Sequence, residues 1–206
     1  MTGLFITLEG GDGSGKSTQA GLLADWLSGQ GRTVLRTREP GGTPVWVLIR
    51  DIVLHHRGEV APRAEALLYA ADRAQHVATA VRPALDRGEV VIQDRYLDSS
   101  VAYQGAGRVL GGTEIRDLSL WAAEGLLPHL TILLDLDESV ARGRLDDANK
   151  RFDRLEAEKS DFHRRVRASF LELAAAEPER FLVVDAAEPV DTIAAAIRAR
   201  VATLLR

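Results

Sequence analysis

Eight consecutive residues, Gly10-Gly11-Asp12-Gly13-Ser14-Gly15-Lys16-Ser17, match the pattern G-x-x-x-x-G-K-[ST] in full. Glycines at this density let a backbone wrap closely around phosphate oxygens, with its N–H groups pointing inward. The N-terminus of the helix that follows adds positive potential. Lys16 supplies a point charge for β- and γ-phosphates, and the Ser17 hydroxyl can ligate Mg²⁺. With Thr18, these residues form a candidate ATP site. A guanine-nucleotide switch fits poorly. In Asn149-Lys150-Arg151-Phe152-Asp153 the aspartate comes one residue too late for a guanine-reading motif, and the only Asp-x-x-Gly, Asp12 to Gly15, lies inside the loop itself.

A second set of residues suits a phosphate acceptor. Arg38, Arg50 and Arg95 can surround a monophosphate, because guanidinium forks give paired, charge-assisted hydrogen bonds. Arg95 follows an apolar run, at a strand end where open α/β sheets bind ligands; Arg50 reads equally well as a solvated or ion-paired side chain. Asp94, at the same strand end, can hold Mg²⁺, partly through water. Tyr69 and Arg73 are four residues apart on a helical pattern and share a face; alone, they read as a core tyrosine and a surface arginine. Arg142, Arg144, Lys150, Arg151 and Arg154 lie in or beside a polar segment, 145–156, that is either a mobile flap or a helix-to-helix connection. His55 and His56 have no partners at metal-ligand spacing, so both are expected at the surface and no structural metal is expected.

The elements that must position these groups follow from periodicity. Leu4–Leu8, Val90–Ile92, Leu130–Leu136 and Phe181–Val184 are short apolar runs that read as buried parallel strands, with Thr33–Thr37 a weaker fifth. Leu22, Leu23, Trp26 and Leu27 form an apolar helix face that Gly29 and Gly31 can end. The run from Glu65 to Arg87 predicts a long helix that kinks or restarts at Pro83. Phe162, Val166, Phe170 and Leu173 repeat at helical spacing, as do Ile193, Ile197, Val201 and Leu204. Strands alternating with helices imply an α/β fold, a parallel sheet with helices on both faces. The 206 residues show no dividing linker, so a single domain over 1–206 is expected.

Composition narrows the partners. A 46% apolar content is enough for a core, and a net charge of −4 offers no basic excess for nucleic acid. With no cysteine, disulfides and thiolate metal sites are impossible. No leader pattern precedes the first strand and no apolar run approaches a membrane span, so a cytoplasmic protein without a membrane partner is expected.

Thr37-Arg38-Glu39-Pro40-Gly41-Gly42-Thr43, Asp94-Arg95-Tyr96 and Ala102-Tyr103-Gln104-Gly105, taken with the glycine-rich loop, resemble the bacterial thymidylate kinase family from end to end. The resemblance implies a five-stranded parallel sheet in a P-loop NTPase fold with a short lid near 145–156, usually as a homodimer. It also implies transfer of phosphate from ATP to dTMP with Mg²⁺. By the same resemblance Arg38, Arg95 and Arg50 contact the acceptor phosphate, with Glu39 beside them. Tyr69 stacks on thymine, Arg73 reads a base carbonyl and Ser100 lies near the base edge. Tyr103 is set against the sugar, Gln104 lines the site and Asp12 approaches the 3′-hydroxyl. Gly13 and Ser14 are uncharged, so the transition-state cation falls to the lid, where Arg154 aligns best and Arg151 is its rival. Val45-Trp46-Val47 departs from the family's usual Leu-Gly-Glu. A kinase for another nucleoside monophosphate and a P-loop regulator acting through a protein partner remain the competing readings.

Overall fold

The structure, a computed structural model, describes residues 3–41, 47–56, 58–147, 154–156 and 158–205. Lys150, Arg151 and the Val45-Trp46 departure lie outside these residues. Five parallel strands form one sheet in the order β2-β3-β1-β4-β5: β1 Leu4–Glu9, β2 Val34–Arg38, β3 Val90–Asp94, β4 Leu130–Asp135 and β5 Phe181–Asp185.

Both faces of the central strands are apolar, which is why they read as continuous runs rather than alternating ones. Leu4, Ile6 and Leu8 of β1 join Leu130, Ile132 and Leu134 of β4 in one core. That core is covered by Leu23 and Leu27 of α1 (Lys16–Gly29) and by Ile193, Ile197 and Val201 of α9 (Val190–Ala202). The residues between them face the other way: Phe5 and Val91 pack with Val77 and Val81, and Leu133 packs with Phe162, Val166 and Phe170 of α8 (Ser160–Ala176). One polar pair interrupts the second face, Thr7 with Thr131 at 3.0 Å between β1 and β4.

The expected long helix is interrupted only in its hydrogen-bonding pattern. α3 spans Pro62–His76, a π-helical turn covers Val77–Val81, and α4 covers Arg82–Asp86 with Pro83 in its first turn. His76, Val77, Val81 and Arg82 all keep right-handed helical dihedrals, so the chain stays helical through the π-helical turn and into the segment with Pro83, which has no N–H to donate. α2 spans Val47–His55. α5, Leu97–Ser100, runs straight into a second π-helical stretch, Val101–Gly107, before α6 at Gly112–Ala122. α7, Glu138–Asp147, extends into the segment read as a flap, and residues 154–156 form a turn.

The register aligns the carboxyl ends of three neighbouring strands: Leu8 of β1 and Arg38 of β2 both pair with Asp94 of β3. The glycine-rich loop, the Arg38 loop and the Asp94-Arg95 turn therefore leave the sheet side by side, at the edge where open α/β sheets hold ligands.

Candidate active site

The loop after β1 is shaped by close approach. Gly10 has φ +133°, and a Cβ there would lie 2.4 Å from the Leu134 carbonyl oxygen, so only glycine fits. Lys16 folds back into the loop and donates to the carbonyls of Gly10 at 3.1 Å and Gly11 at 2.7 Å. Burial pushes its pKa down, as does Arg95, while Asp12, Asp94 and Glu9 hold it up. Ser17 donates to Asp94 Oδ2 at 3.0 Å, and the other Asp94 oxygen is buried with no hydrogen-bond partner. A hard-oxygen pair of this kind, with one carboxylate oxygen left over, fits Mg²⁺ bound directly or through water. Ser14 Oγ is likewise buried without a partner.

Arg95 occupies the left-handed region at φ 65°, unusual for a residue with a Cβ. Its surroundings force the conformation. Its N–H donates to Leu8 O, the next N–H, of Tyr96, donates to Glu9 Oε1 at 2.8 Å, and Gln93 Nε2 holds its carbonyl. The guanidinium reaches across to Asp12 Oδ1 at 2.6 Å and to Gly10 O at 3.1 Å, 5.0 Å from the Tyr103 ring centre. Burial opposes its charge, but Asp12, Tyr103, Asp94 and Glu9 raise its pKa well above the usual value. Arg38 lies exposed at the end of β2, and Arg50 Nη1 donates to Pro40 O at 2.9 Å. The three arginines expected around an acceptor phosphate thus line one cleft of about 480 Å³, which also contains Lys16 and Asp94.

The inner wall of that cleft corrects the plain reading of Arg73 as a surface residue: it is 1% exposed. Nη1 donates to Ser119 at 3.0 Å and Nη2 to Ser100 at 3.1 Å, while Glu39 forms an ion pair with it at 3.0 Å. Its Nε–H is a buried donor without a partner. Tyr69, one helical turn earlier, is buried beside it in the cleft wall. The π-helical stretch presents Tyr103, whose hydroxyl is buried without a hydrogen-bond partner, and Gln104, which donates to Glu65 at 2.7 Å. Burial is the main cause that raises the Tyr103 pKa, so the phenol stays protonated.

Several residues of this site were not singled out from the sequence. Glu9 ends β1 fully buried, and burial, then Asp98, pushes its pKa up to about 8. Asp72 accepts from the Gly41 N–H at 3.3 Å, with its pKa pushed up to about 7 by burial and then by Glu39. His76 bridges Glu39 and Thr37, and Glu65 sits fully buried with Arg154, Arg108 and Gln104 around it. A helical face carrying Glu65, Tyr69, Asp72, Arg73 and His76 was the available signal: polar groups at three- and four-residue spacing on a helix that must pack against the sheet.

Arg154, expected as the lid cation, is engaged by neighbouring elements in this structure. Its Nε donates to Val53 O at 2.9 Å and its Nη2 pairs with Glu65, so it ties the turn to α2 and α3 instead of facing the P-loop. Arg144 of α7 reaches the loop, donating to Gly13 O at 3.4 Å and, through its other nitrogen, to Ala186 O at 3.0 Å. No helix among the described residues is long and apolar enough to cross a membrane.

Comparison with known proteins gives the family and the fold. The family model described as thymidylate kinase matches residues 8–197. A thymidylate kinase of Leifsonia xyli subsp. xyli is 75% identical over 96% of this chain and 94% of that protein. One of Clavibacter michiganensis subsp. michiganensis is 72% identical over 100% of this chain and 97% of that protein. The crystal structure of thymidylate kinase from Ehrlichia chaffeensis superposes with a TM-score of 0.78 at 29% identity, covering 100% of both chains. With three adjacent strand ends feeding one arginine-lined cleft, and with these relatives matching end to end, the chain belongs to the thymidylate kinase family.

Proposed function

We propose that the chain transfers the terminal phosphoryl group of ATP to dTMP, giving ADP and dTDP. The observation that carries this reading is a set of unsatisfied buried polar atoms on residues that line one cleft: Asp94 Oδ1, Arg73 Nε and the Tyr103 hydroxyl. Buried polar groups in folded proteins are nearly always paired, and each orphan costs about 1–3 kcal/mol. These three run from the metal end of the cleft to the base wall: Mg²⁺ would take the Asp94 oxygen, and the base and sugar of a monophosphate would meet the Arg73 Nε–H and the Tyr103 hydroxyl.

Phosphoryl transfer needs two anions held in line while the developing charge is neutralised. Lys16 and the loop N–H groups hold the donor phosphates, and Arg144 approaches the same loop from α7. Arg95 and Arg38, with Arg50 behind Pro40, receive the acceptor phosphate. On binding, Arg95 exchanges part of its contact with Asp12 for phosphate, and Asp12 is released toward the sugar hydroxyl. The acceptor phosphate is itself the nucleophile and is largely ionised at neutral pH, so no dedicated base is needed. Ser17 and Asp94 would hold Mg²⁺, whose charge when bound offsets that building on the β- and γ-oxygens.

Tyr69 stacks on the base, Arg73 offers its free Nε–H to a carbonyl, and Tyr103 crowds the sugar where a ribose would carry a 2′-hydroxyl. One domain over 1–206, acting in the cytoplasm as a homodimer, completes the reading. Exposed apolar side chains on α2 and α6, Leu48 at 70% and Trp121 at 79%, support the dimer. The test is ADP release coupled to a dye, with ATP fixed and each nucleoside monophosphate supplied in turn. Release that depends on dTMP, with dTDP as the product, is expected. Release indifferent to dTMP sinks the assignment.

A further inference from the structure

We propose that His76 is a positioning residue for base recognition: it fixes Glu39, and Glu39 fixes Arg73. This rests on the reading that Arg73 addresses the base.

Glu39 follows β2 and is almost fully buried. Its two carboxylate oxygens are divided between two side chains of α3. Oε2 forms an ion pair with Arg73 Nη2 at 3.0 Å, without hydrogen-bond geometry, and Oε1 is hydrogen-bonded to His76 Nδ1 at 3.1 Å. The other imidazole nitrogen, Nε2, lies 2.6 Å from Thr37 Oγ1, near the end of β2. An ionised carboxylate can only accept, so Nδ1 carries the proton and donates to Glu39. In the neutral ring Nε2 then accepts from the Thr37 hydroxyl. The imidazole is fully buried and held at both ends, so its orientation is set by the sheet and passed to the carboxylate.

Arg73 needs that support. Besides Glu39, among the described residues, its guanidinium meets two neutral serine hydroxyls, Ser119 and Ser100, and lies 5.3 Å from the Tyr96 ring centre, a contact without a directional hydrogen bond. A base carbonyl is read well only if the donor is fixed before the ligand arrives. The chain Thr37–His76–Glu39–Arg73 provides that fixation from the rigid sheet edge to the cleft wall. Asp72 holds the Gly41 N–H in the loop that follows Arg38, so one helix face meets both the base reader and that loop.

Two amide replacements separate positioning from simple packing. In His76→Asn an amide nitrogen can take the place of Nδ1 and keep the bond to Glu39. In His76→Gln an amide nitrogen takes the place of Nε2 and donates to the Thr37 hydroxyl, which turns to accept, so the tie to Thr37 is kept and Glu39 is lost. His76→Asn is expected to stay within about 3-fold of wild type in KM for dTMP and in preference for dTMP over dCMP. His76→Gln is expected to raise that KM and to reduce that preference by about 10-fold each, with KM for ATP unchanged. Thr37→Val keeps the side-chain shape and removes only the hydroxyl, so it is the second variant should the histidine variants fail to fold. It frees one end of the ring and should shift both readouts in the same direction by about 3-fold. Asn and Gln variants that behave alike, or a loss confined to kcat, overturn the proposal. A folded Thr37→Val with unchanged selectivity also overturns it. If the wild type prefers another monophosphate, the function reading fails, and the Asn–Gln contrast measured on that substrate still decides the role of His76.

Discussion

Removing the Arg73–Glu39 pair one side at a time, and then from both sides, tests the central electrostatic feature of the cleft. Both groups are almost fully buried and 3.0 Å apart. Truncating one partner of such a pair leaves a desolvated charge, which typically costs about 3–5 kcal/mol. Arg73→Met should fall at the low end, because Glu39 keeps His76 at 3.1 Å. Glu39→Gln should cost less again, because the amide oxygen still accepts from either neighbour and Arg73 keeps its two serines. The double variant loses the hydrogen bonds but strands no charge. Its cost should lie below the sum of the single costs by about 1–3 kcal/mol. The assay is urea unfolding of the four proteins at one pH, with midpoints converted using a shared slope. A double variant whose cost equals the sum within about 0.5 kcal/mol would refute the pairing.

Four further outcomes follow from the same contacts. Lys16→Ala should keep the fold and lose kcat by at least a few hundred-fold, since a preorganised cation at developing charge contributes about 3–4 kcal/mol; near-normal kcat would take the loop out of the reaction. Arg144→Ala should weaken ATP use. Arg154→Ala, cut from Val53 O and Glu65, should mainly lower stability by about 1–3 kcal/mol, and a collapse of kcat in a stable Arg154→Ala would restore the donor role expected from the sequence. Glu9 and Asp72 have raised pKa values, about 8 and about 7 against usual values of 4.5 and 3.8, so the native state keeps protons that the unfolded chain releases. Their contribution is fully present below about pH 4 and is lost as pH rises to about 8; Glu9→Gln should flatten the decline of Tm between pH 7 and 8, and an unchanged slope would assign it elsewhere.

What could be read in advance depended on how local the cause was. The loop from Gly10 to Ser17 was legible because glycine spacing and one lysine specify it within eight residues. The strands were legible because burial on both faces leaves an unbroken apolar run; β2, at the sheet edge and only partly buried, was the weak one and its bounds shifted by one residue. Arg73 was not legible as a buried group from periodicity, since its burial depends on Glu39, which β2 delivers from 34 positions earlier in the chain. Arg154 meets Glu65 across a sequence separation of 89 residues, and no local pattern announces that contact. The π-helical stretch carrying Tyr103 and Gln104 was also missed, because its residues read like any short helix and only its packing against α6 and α8 shapes it.

The measurement that bears most directly on the whole account is kcat/KM for dTMP, dUMP, dCMP and UMP at fixed ATP, for the wild type alone. The unpaired Arg73 Nε–H and the buried Tyr103 hydroxyl predict the order. dTMP should come first and dUMP next, within about 10-fold, because the missing methyl group is worth about 1 kcal/mol. dCMP, which offers Arg73 a donor where it needs an acceptor, and UMP, which carries the 2′-hydroxyl, should each fall at least about 10-fold further. A wild type that uses dCMP or UMP as well as dTMP would contradict the account.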